Sequence, residues 1–245
     1  SKILDDAGYY SVLHVYDPLN SDYFIKVARA MTLGQKLKHM FAIRTYAISP
    51  EMLSMMCKSF DEIEPNRIML NIVSGDKYQM LNEKEVDGVI GVDISKSESR
   101  ISHTENFMKK FVNLNLFKSL SSKLEMVLSG SSEHTLKLAK EYGDYNLAMV
   151  DQYLENPERY LNDKIILGFA IVVVETYGEK IFYEKLIKDS EAAHWTLLGT
   201  DYEIKEKLDT FEKMGITDVL FALHRFDKNP DRIHRLVFDI KNGIL

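Results

Sequence analysis

Apolar positions along the chain follow two alternating periods. Short runs of alternating or continuous apolar residues fall at 10–16, 39–44, 67–73, 123–128, 145–150, 165–174 and 218–223, and these predict strands. The stretches at 2–7, 21–32, 50–63, 103–113, 133–142, 157–161, 178–189, 201–214 and 230–242 repeat apolar residues at i, i+3 and i+4, which predicts helices. In the helix at 201–214, Ile204, Leu208 and Phe211 share one face, and Gly215 follows as a stop signal. Strand–helix alternation implies parallel strands joined by crossover helices. In a chain of 245 residues it fits a (β/α) barrel or an open doubly wound sheet. No G-x-G-x-x-G follows the first strand, which weakens a dinucleotide-binding reading. Without internal repeats, low-complexity segments or a Pro/Gly/Ser linker, residues 1–245 read as one domain. The least regular region, 76–99, reads as an insertion in which Val86–Val92 forms a strand or hairpin arm.

Composition narrows this picture. With 45% hydrophobic residues the chain has ample material for a core. Its 31 basic against 37 acidic residues give a net charge of -6, and no long basic run marks a nucleic-acid partner. The longest apolar stretch, 165–174, is too short to span a bilayer and contains Gly168, so no membrane association is expected. The first six residues do not form a signal peptide. A single cysteine, Cys57, excludes an intramolecular disulfide and fits a reducing, cytoplasmic setting. Cys57 lies near Met52, Met55 and Met56 on a helix, where thiol and methionines alike read as core packing. Few prolines (5) and glycines (12) argue against a turn-rich β-sandwich.

Three segments offer chemistry. Leu128-Ser129-Gly130-Ser131-Ser132-Glu133 sits between a predicted strand and a predicted helix. Its glycine permits close backbone approach, and its hydroxyls and helix-start amides suit an anion such as phosphate. The alternative is an ordinary N-cap. In Leu70-Asn71-Ile72-Val73-Ser74-Gly75 a polar Asn71 interrupts an apolar strand near its C-terminal end, where barrels build their sites. A flavin or purine edge, or neighbouring backbone, would satisfy it. In Ala42-Ile43-Arg44-Thr45-Tyr46, Arg44 ends a strand and either binds an anion or fixes a loop. Among the histidines, His14 lies near the end of the first strand, His103 opens a helix, and His224 follows the last strand. Each is a candidate proton carrier and equally a structural residue. No spacing of His, Cys and carboxylates points to a metal, and no G-x-S-x-G points to a hydrolase.

The order of these motifs resembles the bacterial luciferase-like flavin monooxygenase family, in particular its alkanesulfonate monooxygenase-like branch. The segment 28–50 resembles the family's "A-x-R-P-G-x-x-S-P" turn, and 60–75 its "L-D-x-x-S-x-G-R-x-x-x-N-V-V-S-G". The segment 129–144 resembles "G-G-S-S-x-x-x-x-x-L-A-A-E-x-A-D", and 198–217 the "V-G-T-P-E-x-V-A" helix with its "A-G-V-D" strand entry. The resemblance implies an α/β fold of the TIM-type (β/α)8 barrel, short or lacking its first strand, since 2–8 looks like the helix after strand one. It implies a monooxygenase that uses reduced FMN and oxygen on a small organic substrate. A separate NAD(P)H-dependent flavin reductase would supply the reduced FMN, and a homo-oligomer is expected. Carried over by position, Ser129, Gly130, Ser131 and Ser132 would meet the FMN phosphate, and Asn71 with Ser74 the isoalloxazine. His14, Arg44 and His224 are the candidates for catalysis. Departures are clear. Thr45-Tyr46 replaces Pro-Gly, Ile101 a Tyr, and Asn106 an acid; Gly168 and Ala170 stand where the branch has an Arg and a His. The sulfonate substrate is therefore not carried over. A flavin-binding barrel without oxygenation chemistry and a deazaflavin-dependent oxidoreductase are the alternatives.

Overall fold

The computed structural model describes residues 2–15, 22–33, 36–74, 97–160, 164–190, 193–223 and 229–245. The elements run α1 (Lys2–Asp6), β1 (Ser11–His14), α2 (Tyr23–Met31), β2 (Lys38–Arg44), α3 (Pro50–Ile63), β3 (Ile68–Val73), α4 (Ser97–Asn113), α5 (Asn115–Lys118) and β4 (Glu125–Ser129). They continue with α6 (Glu133–Tyr142), β5 (Tyr145–Met149), α7 (Val150–Glu155), β6 (Ile165–Val173), α8 (Tyr177–Lys188), β7 (Thr196–Gly199), α9 (Asp201–Lys213), β8 (Asp218–Leu223) and α10 (Pro230–Lys241). The fold is α/β, with parallel strands and flanking helices, as in a (β/α)8-like barrel.

Several elements differ from the sequence reading, among them the short helices α5 and α7, which it did not contain. The strand β7 has only four residues, too few to register a period. The predicted helix 157–161 is a 3-10 turn, Pro157–Tyr160. Residue 150 starts α7 instead of ending β5. Helix α4 begins at Ser97, so His103 lies inside it rather than at its start. The residues from Glu98 to His103 bury no side chain fully and therefore show no apolar stripe. The predicted strand Val86–Val92 and most of the segment 76–99 lie outside the described residues.

The chain divides into two compact units, one of residues 1–5 and 10–144, the other of 6–9 and 145–245. In the first, β1, β2, β3 and β4 pair in that order, all parallel. Phe41 and Ile43 of β2, Leu70 and Ile72 of β3, and Met126 and Leu128 of β4 share one buried cluster with the helices. The helices contribute Val27 and Met31, Leu53, Cys57 and Phe60, and Phe107, Met108 and Phe111. Cys57 is core, as expected. Met52 and Met55 are not: they are 51% and 54% exposed, because the apolar stripe of α3 runs through Leu53, Cys57 and Phe60. Strand side chains alternate between faces, so Met40, Ala42, Arg44, Met69, Asn71, Val73, Val127 and Ser129 occupy the face away from these helices.

Two buried cations close the N-terminal ends of these strands. Lys38 Nζ donates to Glu125 Oε1 at 2.7 Å and to Asn66 Oδ1 at 2.9 Å. Arg67 donates through Nε to the Leu37 carbonyl at 3.0 Å and through Nη1 to Glu64 at 2.8 Å. Each buried charge thus has a counter-charge, as burial in a low dielectric requires.

In the second unit β6 is the organising strand. All nine of its residues are buried, which explains its unbroken apolar run. Ala170 and Ile171 pair with both β7 and β8, so these two strands flank opposite edges of β6. The ring of Phe169 packs against Phe211 and Phe221. Arg232 reaches the C-terminal end of β6, donating to the Val173 carbonyl and to Glu179. Among the described residues no helix is long and apolar enough to cross a membrane.

Candidate functional site

Parallel register brings three of the singled-out residues to one end of one face. Asn71 pairs with Ala42 on one side and Val127 on the other; Val73 pairs with Arg44 and with Ser129. Arg44 and Ser129 therefore lie level, one strand either side of Val73, with Asn71 two residues below it. The Ser129 hydroxyl donates to Asn71 Oδ1 at 2.6 Å. This leaves the Asn71 amide group, a pure donor, without a partner among the described residues. Arg44 is 5% exposed, and its Nε and Nη1 are buried without a hydrogen-bond partner among the described residues.

The β4–α6 loop completes this end. Gly130 has φ +138°, and a Cβ there would come within 3.2 Å of Thr135 in the first turn of α6. Glycine thus lets the backbone lie against the helix start. Ser132 is the N-cap: its Oγ accepts from the Thr135 amide at 3.1 Å. The capping reading holds for Ser132. The amides of Glu133 and His134, in the first helical turn, have no intrahelical acceptor. They point with the positive end of the helix dipole toward the loop, which suits an anion. A small cleft opens here, lined by Ser74, Ser129, His134 and Thr135 with Ile72 and Ile101.

Helix α4 fixes the turn that follows Arg44. His103 Nε2 lies 2.9 Å from the Thr45 carbonyl, and the hydroxyls of Thr45 and Thr104 are 3.0 Å apart. At that distance the His103 ring donates to the carbonyl. Sequence reasoning missed both roles.

His14 falls elsewhere. His14 stacks on His39 with ring centroids 5.2 Å apart, and its Nε2 is 3.0 Å from His39 Nδ1. It also lies against Phe41, so this pair belongs to the helix-facing side and not to the face of Arg44 and Asn71. Burial pushes both imidazoles down to about 4, with further lowering of His39 by His14 and Arg67. His39, inside β2, was not foreseen as its partner. His224 lies outside the described residues. Gly168, in β6, packs against Met149, whose Sδ would be 3.1 Å from an added Cβ.

No family profile matches the chain. Several solved structures share its fold. Riboflavin lyase RcaE, determined with modified FMN and riboflavin, superposes with a TM-score of 0.73 at 12% identity over 99% of this chain and 83% of its own. The coenzyme F420-dependent tetrahydromethanopterin reductase of Methanopyrus kandleri gives 0.72 at 12% identity over 97% and 91%. The EDTA monooxygenase EmoA of Chelativorans sp. BNC1 gives 0.72 at 11% identity over 99% and 84%. The fold is therefore one that carries flavin- and deazaflavin-dependent redox chemistry, and no branch among its users is singled out.

Proposed function

We propose that the chain is an oxidoreductase of the luciferase-like superfamily that binds reduced FMN as cosubstrate and uses oxygen to oxygenate a small organic substrate. The observation that carries this reading is the donor-lined strand end: the Gly130 loop and the α6 N-terminus stand beside the Ser129–Asn71 pair. The amides after Gly130 and Ser131 would hold the phosphate, and Ser132 would keep the helix start in place. Asn71 would donate to the acceptor edge of the isoalloxazine, with Ser74 at the rim. When bound, reduced FMN supplies the electrons for activating oxygen, and the residues around it bind, orient and exclude water. No cation replaces the sulfonate-binding pair at Gly168 and Ala170, so an alkanesulfonate is not the substrate proposed. His224 follows the last strand and is the proton carrier proposed; His14, held in its pair with His39, is assigned a packing role.

A separate reductase, cytoplasmic residence, a single-domain organisation and a homo-oligomeric state complete the proposal. The monooxygenases among the fold's users, such as EmoA, support the oxygenase reading. Two F420-dependent enzymes also share the fold, a tetrahydromethanopterin reductase and a secondary alcohol dehydrogenase, and they support deazaflavin as the second reading. Anaerobic fluorescence titrations with FMN and F420, each oxidised and reduced, separate the two. Saturable binding of reduced FMN, and oxygen uptake on mixing that complex with air, are expected. Preference for F420 transfers the proposal to the second reading, and binding of neither cofactor refutes both.

A further inference from the structure

Three cations are buried among the described residues of the first unit, and two of them carry their counter-charge. Lys38 has Glu125, and Arg67 has Glu64. Arg44 is as deeply buried, at 5% exposed against 7% and 4%, yet its guanidinium makes no hydrogen bond among the described residues. An unpaired buried guanidinium is costly, and a fold keeps one only where something supplies the missing acceptors. Its surroundings on that face say what is missing. On the next strand Asn71 offers its NH2 group as a donor, while its oxygen accepts from the Ser129 hydroxyl. The rest of the row is Ala42, Val73 and Val127. At this end of the face the described strand residues supply the Ser129 hydroxyl and no carboxylate; Glu125 lies at the opposite strand end and is held by Lys38. The turn beyond Arg44 is fixed from outside by His103 and Thr104, so the guanidinium's strand end is held in place before any ligand arrives.

We propose that Arg44, with the Asn71 amide beside it, is the receptor for a small oxyanion, a carboxylate in the first instance, carried by the substrate. A planar guanidinium matches a carboxylate in charge and in hydrogen-bond geometry, which a lysine would not. The substrate class is thereby an organic acid. This goes beyond the flavin reading and does not depend on it.

The test is thermal unfolding at constant ionic strength, with chloride replaced by acetate, for the wild type and for Arg44→Met. The anion binds the folded state alone, so acetate at several times its dissociation constant is expected to raise the wild-type midpoint by about 2–4 °C. In Arg44→Met that rise disappears, and in chloride the variant is no less stable than the wild type, because an unpaired charge has been replaced by a packed side chain. Arg44→Gln stands in if the methionine variant does not fold. An acetate response that survives both substitutions overturns the proposal. So does a variant that loses several degrees in chloride while the wild type ignores acetate, since Arg44 is then paired by the chain's own carboxylates. A third arm repeats the wild-type experiment with saturating FMN. Persistence of the acetate response assigns the anion to the substrate, and its abolition assigns Arg44 to the cofactor and overturns the proposal. Binding of FMN without any acetate response refutes this inference alone; an acetate response without FMN binding refutes the flavin reading alone.

Discussion

Ser131 and Ser132 are adjacent serines with different duties. The hydroxyl of Ser132 is committed to the helix, accepting from the Thr135 amide and lying 2.9 Å from the Thr135 hydroxyl. Among the described residues Ser131 has no such commitment, and it stands between the positive-φ Gly130 and the cap. The two should therefore separate in mutagenesis. Ser131→Asp places a negative charge where the phosphate is proposed to sit, and like charges a few ångströms apart near a protein surface repel by several kcal/mol. FMN affinity measured by fluorescence is expected to fall at least tenfold, with the urea midpoint unchanged. Ser132→Ala should do the reverse. Loss of an N-cap costs about 1 kcal/mol of stability, visible in urea unfolding, while affinity changes little. If Ser131→Asp binds FMN as the wild type does, the phosphate is not held by this loop.

At the level of elements, α9 tests how far local chemistry specifies the fold. Its N-terminus is a full capping box: Thr200 Oγ1 accepts from the Glu203 amide, and the Glu203 carboxylate accepts from the Thr200 amide at 2.9 Å. The Glu203 carboxylate is also held by Lys180 at 2.5 Å and stays below the usual carboxylate range. Thr200→Ala is expected to lower stability by about 1 kcal/mol in urea unfolding, and Glu203→Ala to lower it further by freeing a second donor. Such elements are legible in sequence because the signals are short-range: a Thr three residues before a Glu, a Pro at the start of α3, an apolar run as continuous as β6. The strands β2 and β3 were readable for the same reason. What stayed hidden depends on register. Asn71 and Ser129 are 58 positions apart and meet only because β3 and β4 pair in parallel with Val73 opposite Ser129. The pairing of His14 with His39, and the lack of a partner for Arg44 among the described residues, follow likewise from neighbours that no local pattern names. Helix α4 was half legible: its apolar stripe begins near Thr104, while the turns before it carry the His103 bond to Thr45 on polar residues.

For the molecule as a whole, these buried groups set the pH range in which it is stable. His14 and His39 titrate at about 4 in the folded chain, and at about 6.5 when unfolded. Between these values the unfolded chain binds more protons than the folded one, so stability falls as pH drops from 6.5 toward 4 and is fully present above 6.5. By that linkage each histidine removes about 2 kcal/mol between pH 7 and pH 5, with the coupled pair falling short of twice that. Carboxylates enter lower. Asp61 would be raised by burial, but hydrogen bonds from the Ser121 amide and the hydroxyls of Ser121 and Ser122 hold it below its ordinary value. Its contribution is lost only as pH falls below about 4. At the alkaline end burial raises the Cys57 thiol and the Tyr9 phenol to about 12, so their unfolded forms ionise first and stability declines above pH 9. Urea midpoints should therefore peak between pH 7 and 9 and drop steeply by pH 5. His39→Gln keeps a neutral polar group and removes one titration from the acid window, so its decline from pH 7 to pH 5 should be about half that of the wild type. An unaltered slope in His39→Gln would mean that His39 binds protons equally in the folded and unfolded chains, and the acid sensitivity would then have to arise from other groups.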